Sequence, residues 1–475
     1  MQERTKALIA IGIFTFMSTL DSSIVNIALP TMSRELHVTT SQITWVVTVY
    51  LIVISAIILI FGRLGDLVGK SKIMKIGWAV FILGSFLAGL NMGLGLPMLL
   101  SARVIQAIGA SMMMATGFGL IAEMFPIASR ARALSLNAMF VSVGSIAGPA
   151  LGGLILSVLS WNYIFWINVP IGIVAWIFGN RALIKDKSNG NIKDVDLTGG
   201  TLMTAVIVLV FLTLNSGQAV GWTNPLILAG VVLALAFFIG FVALEKRKAR
   251  ENDKPLLDLN IFKSRIFTQS LIMALLNFTV AIFSSILLPF YLQNYRGFAP
   301  GSAGLMMMAY PIAMLIFAPI SGWLSDQIDK EKVTFIGLCM IVIAQICYIM
   351  IDKNSSILLV IVAMLIQGAA MGTFQSPNNA LIMETVDHKY LGIAGSVNSL
   401  ARNLAFVLGT SLATIALYMS MSSTLGYKVT SYLKTEPGAF LTGLHFAFSI
   451  GLVLVLISWL LGLYRILAGK RKTMA

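Results

Sequence analysis

Residues 7–29 read ALIAIGIFTFMSTLDSSIVNIAL, an apolar run long enough to cross a bilayer as one helix. Asp21 stands near the middle of this run. A carboxylate at that depth costs about 2.5–3.5 kcal/mol on insertion scales. A chain that keeps such a residue usually places it beside a water-filled path, where it binds a cation or a proton. Asp21 is therefore the first functional candidate, and the alternative is that it only forms hydrogen bonds within its helix bundle.

The composition extends this interpretation to the whole chain. Of the 475 residues, 58% are hydrophobic and 11% are charged, whereas a soluble domain carries about 25% charged residues. The deficit predicts an all-α polytopic membrane protein. Fourteen spans are predicted, at about 7–29, 43–62, 73–91, 98–122, 134–157, 164–184, 198–216, 225–243, 266–292, 304–324, 333–351, 356–376, 391–418 and 440–464.

The distribution of Lys and Arg predicts the orientation. With the N-terminus in the cytoplasm, 26 of the 33 basic residues fall at cytoplasmic segments and five fall in outer connectors. Because Lys and Arg are retained on the cytoplasmic side, both termini are expected there, and the short termini suggest a bacterial cytoplasmic membrane. The net charge of +14 is thereby explained by topology, and a nucleic-acid partner is not expected.

A weak internal repeat predicts the domain organisation. Gly62-Arg63-Leu64-Gly65-Asp66 is echoed by Gly322-Trp323-Leu324-Ser325-Asp326, and Ile105-Gln106-Ala107-Ile108-Gly109 by Ile366-Gln367-Gly368-Ala369-Ala370. The two echoes share nearly the same offset, so one register relates both halves. We expect a six-helix bundle at 1–184, two inserted helices with their linkers at 185–265, and a second six-helix bundle at 266–475. Two such halves with a substrate path between them are typical of secondary transporters.

Two motifs place polar groups inside predicted spans. The first span contains Leu20-Asp21-(x)4-Asn26-x-Ala28-Leu29-Pro30, and the fourth contains Arg103-(x)2-Gln106-Ala107-x-Gly109. Arg103 is always charged, so it cannot donate a proton, but it can stabilise a nearby carboxylate in its ionised form. The alternative is an arginine that extends its side chain to the outer surface.

Two further motifs are rich in glycine. Gly144-(x)3-Gly148-Pro149-(x)2-Gly152-Gly153 puts three glycines on one face of a helix, where another helix can approach closely, and Pro149 favours a kink. The segment from Gly62 to Lys72 holds Gly62, Asp66, Gly69 and Lys70. Generic helix packing and a solvated turn are the respective alternatives.

These four motifs resemble those of the major facilitator superfamily, specifically its fourteen-helix drug:proton antiporter branch of the EmrB/QacA type. The resemblance covers nearly the whole chain and implies the major facilitator fold. It implies that Arg103 takes part in proton transfer and that the motif around Gly148 serves antiport. It also implies a conformational latch at Asp66, with Asp326 as the corresponding residue in the second half.

Other polar residues in the predicted spans are weaker candidates. Each either lines the substrate cavity or faces a neighbouring helix; they are Asn26, Gln106, Asn277, Gln367, Gln375, Asn398 and Arg402. Glu123 and Glu384 stand near the cytoplasmic ends of their helices, where each either receives a proton from the cavity or simply lies at the interface.

The sequence holds no hydrolase nucleophile motif, metal-ligand cluster or Walker-type loop. We therefore expect no enzyme, no metal and no cofactor, with the proton gradient as the energy source. The preferred interpretation is a monomeric proton-coupled multidrug antiporter that exports lipophilic compounds, cations above all, by alternating access. The alternatives are an exporter of a metabolite, amino acid or lipid, and a non-transporting membrane sensor.

Overall fold

The computed structural model describes residues 2–90, 95–125, 127–183, 196–220, 224–251, 257, 259–386, 391–433 and 435–474. Fourteen helical segments in these ranges are long and apolar enough to cross a membrane. This number confirms the prediction. Helices dominate because a spanning segment must satisfy its backbone hydrogen bonds internally where no water is available.

The helices follow one another with short connections. Those of the first half and the insertion are α1 (Gln2–Glu35), α2 (Thr40–Ile43), α3 (Trp45–Val68), α4 (Lys70–Gly89), α5 (Gly95–Met124), α6 (Ile127–Val158), α7 (Tyr163–Trp166), α8 (Asn168–Ala182), α9 (Leu197–Val220) and α10 (Pro225–Arg250). A 3-10 turn (Leu259–Lys263) leads to the rest: α11 (Arg265–Phe290) with a π-helical end (Tyr291–Tyr295), α12 (Pro300–Met307), α13 (Ala309–Gln327), α14 (Lys330–Ile349), α15 (Ile357–Glu384), α16 (Leu391–Leu425) and α17 (Pro437–Met474).

The chain divides into two compact units. The first comprises Met1–Val38 and Trp45–Leu259, and the second comprises Thr39–Thr44 and Asn260–Ala475. The inserted helices α9 and α10 belong to the first unit, where α9 packs on α3 and Thr204 Oγ1 donates to the Ala56 carbonyl at 2.7 Å. The predicted domain boundary at residue 184 lies outside the described residues.

The same pairs of helices pack in both units. In the first unit α1 packs on α6 and α8, α5 packs on α3 and α4, and α4 packs on α8. In the second unit the corresponding pairs are α11 with α16 and α17, α15 with α13 and α14, and α14 with α17. The short helices α7 and α12 begin the sixth and the second span of their respective halves.

Most helices run further than their predicted spans, and two of the extensions are informative. α3 continues to Val68 and α4 begins at Lys70, so Gly69 alone separates them, with a φ of 116° that favours glycine. α15 continues through Pro377 to Glu384, although its span was predicted to end at 376. Inside a membrane a proline that removes one hydrogen bond costs less than a break that exposes several backbone groups.

Candidate proton-binding site

The side chain of Asp21 lies at the centre of a buried polar network in the first unit. It is fully buried, and both of its oxygens accept hydrogen bonds. Arg103 Nη1 lies 2.6 Å from Oδ2, while Gln106 Nε2 and Asn168 Nδ2 donate to Oδ1 at 2.9 and 2.8 Å. Asp21 stands on α1, Arg103 and Gln106 stand one turn apart on α5, and Asn168 stands on α8. Three helices therefore meet at this carboxylate.

The side chain of Arg103 is buried and contacts a backbone carbonyl and two aromatic rings. Its side chain is 1% exposed, so it does not extend to the surface. Nε donates to the Val46 carbonyl at 3.1 Å, and the guanidinium carbon lies 4.0 Å from the ring centre of Tyr50 and 5.7 Å from that of Phe165. An arginine over an aromatic face gains a cation–π attraction, which keeps the cation in place whatever the charge of Asp21.

Gln106 links the ion pair to a further helix. Its Oε1 accepts from Arg103 Nη1 at 2.5 Å, and its Nε2 donates both to Asp21 and to Ser85 Oγ, the latter at 2.8 Å. Ser85 stands on α4 and donates in turn to the Phe81 carbonyl at 2.8 Å. In a low-dielectric interior the hydrogen bonds of such a chain polarise one another. Protonation of Asp21 would therefore affect hydrogen bonds on four helices, α1, α4, α5 and α8.

The structure brings together three residues that the sequence predicted, Asp21, Arg103 and Gln106, and adds Asn168 and Ser85. Sequence reasoning missed Asn168, although an asparagine five residues into a predicted span is itself a signal. Ser85 carries no such signal, because serine commonly bonds back to its own helix.

Asn26, a further candidate on the same helix as Asp21, stands five residues along the chain. Its side chain is buried, with 9% exposed. Five residues on a helix turn about 500°, which places the two side chains about 140° apart around the axis. The position of Asn26 around the axis of α1 therefore differs from that of the carboxylate.

The glycine stripe of α6 holds the helix that carries Asp21. A Cβ at Gly144 would lie 2.6 Å from the Phe16 carbonyl oxygen, and one at Gly152 would lie 2.5 Å from a methyl carbon of Ile27. A Cβ at Gly148 would fall on Ser23 Oγ. All three contacts are made with α1, so the stripe is a tight α1–α6 interface.

The rest of that motif is accommodated within α6. Pro149 lies inside the helix, which runs from Ile127 to Val158 without a break in its assignment, and Gly153 is buried. The predicted kink at Pro149 is therefore not a break in the helix.

Two predicted cavity residues make contacts inside the second unit. Asn277 is fully buried and donates from Nδ2 to the Met273 carbonyl and to Ser458 Oγ, both at 2.7 Å. Gln367 is fully buried and accepts from Gln345 Nε2 at 3.1 Å. These bonds join α11 to α17 and α14 to α15, which favours a role in helix packing.

The remaining cavity candidates share one region of the second unit. Asn398 on α16 donates from Nδ2 to Asn379 Oδ1 on α15 at 3.0 Å. Gln375 stands one turn before Asn379, and Arg402 one turn after Asn398. All four side chains are half-buried, unlike Asn277 and Gln367.

Of the acidic residues that the sequence predicted near helix ends, Glu384 has a described side chain. Glu384 is 57% exposed and accepts from Lys330 Nζ with both oxygens, at 2.5 and 2.6 Å. This contact favours an interfacial ion pair between α15 and α14. The side chains of Glu123, Asp66 and Asp326 lie outside the described part of the structure.

The backbone around the predicted latch is described. Gly62 lies within α3, where a Cβ would meet no atom within 4 Å, and Lys70 begins α4. Gly65, one turn before Gly69, approaches α5 closely, because a Cβ there would lie 2.9 Å from Thr116 Cγ2. The segment thus brings the C-terminal end of α3 against α5.

Two helical units with the same pairing of helices are typical of secondary transporters, and one of them here holds a buried carboxylate–guanidinium pair. The chain belongs to the Major Facilitator Superfamily, whose family profile matches residues 11–193 and 197–410. It is therefore a multi-pass membrane transporter and not an enzyme.

Relatives place the chain more closely within the family. It is 35% identical to the riboflavin transporter RibZ of Clostridioides difficile, covering 91% of this chain and 92% of RibZ. It is 30% identical to the multidrug export protein EmrB of Escherichia coli, covering 86% and 78%. These relatives confirm the resemblance to the drug-antiporter branch of the family.

A solved structure confirms the fold. A POT family transporter in complex with 5-aminolevulinic acid matches with a TM-score of 0.68 at 15% identity, covering 95% of this chain and 94% of that one. At this identity the likeness concerns the fold alone.

Proposed function

We propose that the chain is a proton-coupled exporter of small organic compounds that works by alternating access, with Asp21 as the proton-binding group. The observation that carries this proposal is the network around Asp21: one fully buried carboxylate, one permanently charged partner and two amides. A buried acid with a specific charged partner is a functional-site candidate on physical grounds.

The network supports a two-state response to a proton. Protonation of Asp21 removes the negative charge from its pair with Arg103, while the aromatic faces and the Val46 carbonyl still hold the guanidinium. A protonated carboxyl needs an acceptor, and Asn168 Oδ1 is buried without a hydrogen-bond partner among the described residues. Rotation of that amide would offer its oxygen to the new O–H group, so the carboxyl group of Asp21 can be hydrogen-bonded in both protonation states.

The same contacts bear on the substrate. Both oxygens of Asp21 are already occupied, so a cationic substrate could pair with Asp21 only by displacing Arg103 or an amide. We therefore assign the proton to Asp21 and the substrate to other residues, with coupling through the movement of α1 against α5 and α8. This scheme needs no cofactor and no partner subunit.

Export of varied lipophilic compounds, with antibiotic resistance as its consequence, is supported by relatives such as EmrB. Riboflavin is a second candidate substrate, because RibZ shares 35% identity over nearly the full length. Location in the cell membrane with both termini cytoplasmic is supported by the excess of Lys and Arg on that side.

The test is uphill transport by purified protein in proteoliposomes with an imposed proton gradient, with riboflavin and a lipophilic cationic dye as substrates. Asp21→Asn keeps the shape of the side chain but cannot exchange a proton. We expect it to lose gradient-driven accumulation and the pH dependence of transport, and to keep the exchange of labelled for unlabelled substrate. Asp352→Asn, an exposed acid in a connector, is the control and should transport normally.

The Asn variant leaves Arg103 buried without a counter-ion, and breaking a buried pair in this way costs about 3–5 kcal/mol. The double variant Asp21→Asn/Arg103→Gln removes both charges, and it is used if the single variant does not fold. Normal uphill rates with normal pH dependence in either variant would overturn the assignment of the proton to Asp21.

A further inference from the structure

Arg402 is a charged side chain inside a membrane span without a counter-ion in the described structure. It lies on α16, within the span Val397–Leu425 and eleven residues from the start of the helix at Leu391, which is about 16 Å along the axis. Arginine does not lose its proton in a protein. Among the described residues, none forms a hydrogen bond or an ion pair with the side chain of Arg402.

Arg103 and Arg465, the fully buried arginines among the described residues, are different. Arg103 pairs with Asp21 at 2.6 Å, and Arg465 lies 3.6 Å from Glu331 and donates to Ser270 Oγ at 2.9 Å. A guanidinium offers five donors in a planar fork that matches carboxylate and phosphate groups. A partner for the guanidinium of Arg402 therefore has to come from outside the described residues.

The neighbours of Arg402 show which way this part of α16 faces. Asn398, one turn earlier, bonds to Asn379 on α15, and Phe406, one turn later, contacts Phe278 on α11 with ring centres 5.8 Å apart. Residues four apart share a face of a helix. The face that carries Arg402 is therefore directed towards α11 and α15, within the second unit.

Two amides where this face meets α15, Asn398 of α16 and Gln375 of α15, are incompletely bonded. Gln375 Oε1 and Asn398 Oδ1 are both buried without a hydrogen-bond partner among the described residues. An unsatisfied buried oxygen costs free energy comparable to a lost hydrogen bond. The face thus presents the donors of one guanidinium beside two acceptors that lack donors.

We propose that Arg402, Asn398 and Gln375 form a substrate subsite for a small organic anion whose acidic group stands beside an N–H or O–H donor. The guanidinium would bind the anionic oxygens, and the two amide oxygens would accept from the neighbouring donor. This inference names the substrate class of the exporter proposed above and rests on that function. It predicts that anions are favoured over the cations that the sequence suggests.

Two dyes with the same ring system but opposite charge provide the test. Fluorescein, used below the pKa of its phenol, carries a carboxylate and a phenol O–H donor, whereas rhodamine 123 is a cation. Binding of each is measured by fluorescence anisotropy on the purified full-length protein in nanodiscs of zwitterionic lipid. We expect fluorescein to bind more tightly than rhodamine 123. Arg402→Gln should weaken fluorescein at least about tenfold, as expected for the loss of a charge-assisted bond, and should leave rhodamine 123 unchanged or bound more tightly.

Two further variants separate the subsite from a structural role. Arg402→Lys keeps the charge but not the planar fork, so it should restore part of the affinity for fluorescein. Arg296, in a predicted outer connector of the second unit, donates to Tyr291 and to the Ser355 carbonyl, and Arg296→Gln serves as the matched loss of one positive charge. It should leave the affinity for fluorescein unchanged. The temperature of thermal unfolding should be no lower in Arg402→Gln than in the unaltered protein, because the variant removes a charge that has no partner among the described residues.

A lipid phosphate could satisfy the same guanidinium, and nanodiscs that contain anionic phosphatidylglycerol distinguish the two sources. Retained fluorescein binding supports a substrate subsite, whereas its disappearance would mean that a lipid headgroup occupies Arg402 and would overturn the proposal. Equal weakening of both dyes by Arg402→Gln, or tighter binding of rhodamine 123 by the unaltered protein, would also overturn it. Because binding is measured without a proton gradient, the result is independent of the Asp21 test.

Discussion

The close approach of α6 to α1 provides a prediction whose size follows from the structure. We consider Gly148→Ala, the smallest change that adds a Cβ at this position. That atom would fall on Ser23 Oγ, lie 2.6 Å from Ser23 Cβ and lie 3.0 Å from the backbone nitrogen of Ile24. The hydroxyl can rotate away, but Cβ and the backbone nitrogen move only if α1 moves.

Two opposing effects set the magnitude. Overpacking of a tight interface costs about 1–3 kcal/mol, while replacing glycine by alanine inside a helix contributes about 0.5–1 kcal/mol of stability. The net expectation for Gly148→Ala is a free energy of unfolding lowered by about 0–2.5 kcal/mol. Gly240→Ala on α10 is the matched control, because a Cβ there meets nothing within 4 Å, so that variant should be unchanged or slightly more stable.

The effect on function should exceed the effect on stability. Ser23 stands two residues from Asp21, and a shift of α1 that relieves the clash also moves Asp21 relative to Arg103, now at 2.6 Å. The assay is reversible unfolding in sodium dodecyl sulfate followed by circular dichroism, paired with gradient-driven transport in proteoliposomes. We expect transport by Gly148→Ala to fall severalfold and Gly148→Leu to abolish it while the protein is still produced.

A double variant that also removes the clashing side chain of Ser23 tests the cause of the effect. In Ser23→Gly/Gly148→Ala the two clashing atoms of Ser23 are absent, and only the contact with Ile24 remains. The double variant should therefore lose less stability than the sum of the two single variants. If Gly148→Ala matches Gly240→Ala in stability and transports at the normal rate, or if the two changes are simply additive, the α1–α6 approach is not tight and the reasoning is refuted.

Two further predictions concern the ends of the helices. In a background without the two native cysteines, Asn354→Cys should react with an impermeant maleimide on intact cells, and Glu251→Cys only after permeabilisation; the reverse pattern would show that the orientation inferred from Lys and Arg is wrong. Glu384→Gln should keep proton-driven transport and change the free energy of unfolding by less than about 1 kcal/mol, because its exposed pair with Lys330 is of a kind that contributes little. If transport by that variant no longer depended on the proton gradient, the proton-binding group would be Glu384 on α15.

The sequence determined the features that depend on local composition. Apolar runs fix the number of spans, because no other arrangement shields their backbone from lipid. The rare charges inside those runs identified Asp21 and Arg103 before any contact was known. The internal echoes predicted two related halves, and the same pairs of helices pack in both units.

Only the tertiary structure decided which polar groups meet. Asp21 and Asn168 are distant in sequence, and their 2.8 Å contact depends on the packing of α1 against α8. Asn277 and Arg402 read alike as polar residues in spans, yet Asn277 is bonded inside the bundle and Arg402 has no partner among the described residues. A helical sequence fixes the spacing of residues along one axis, but the rotation of each helix about that axis is set by how the side chains of several helices interlock.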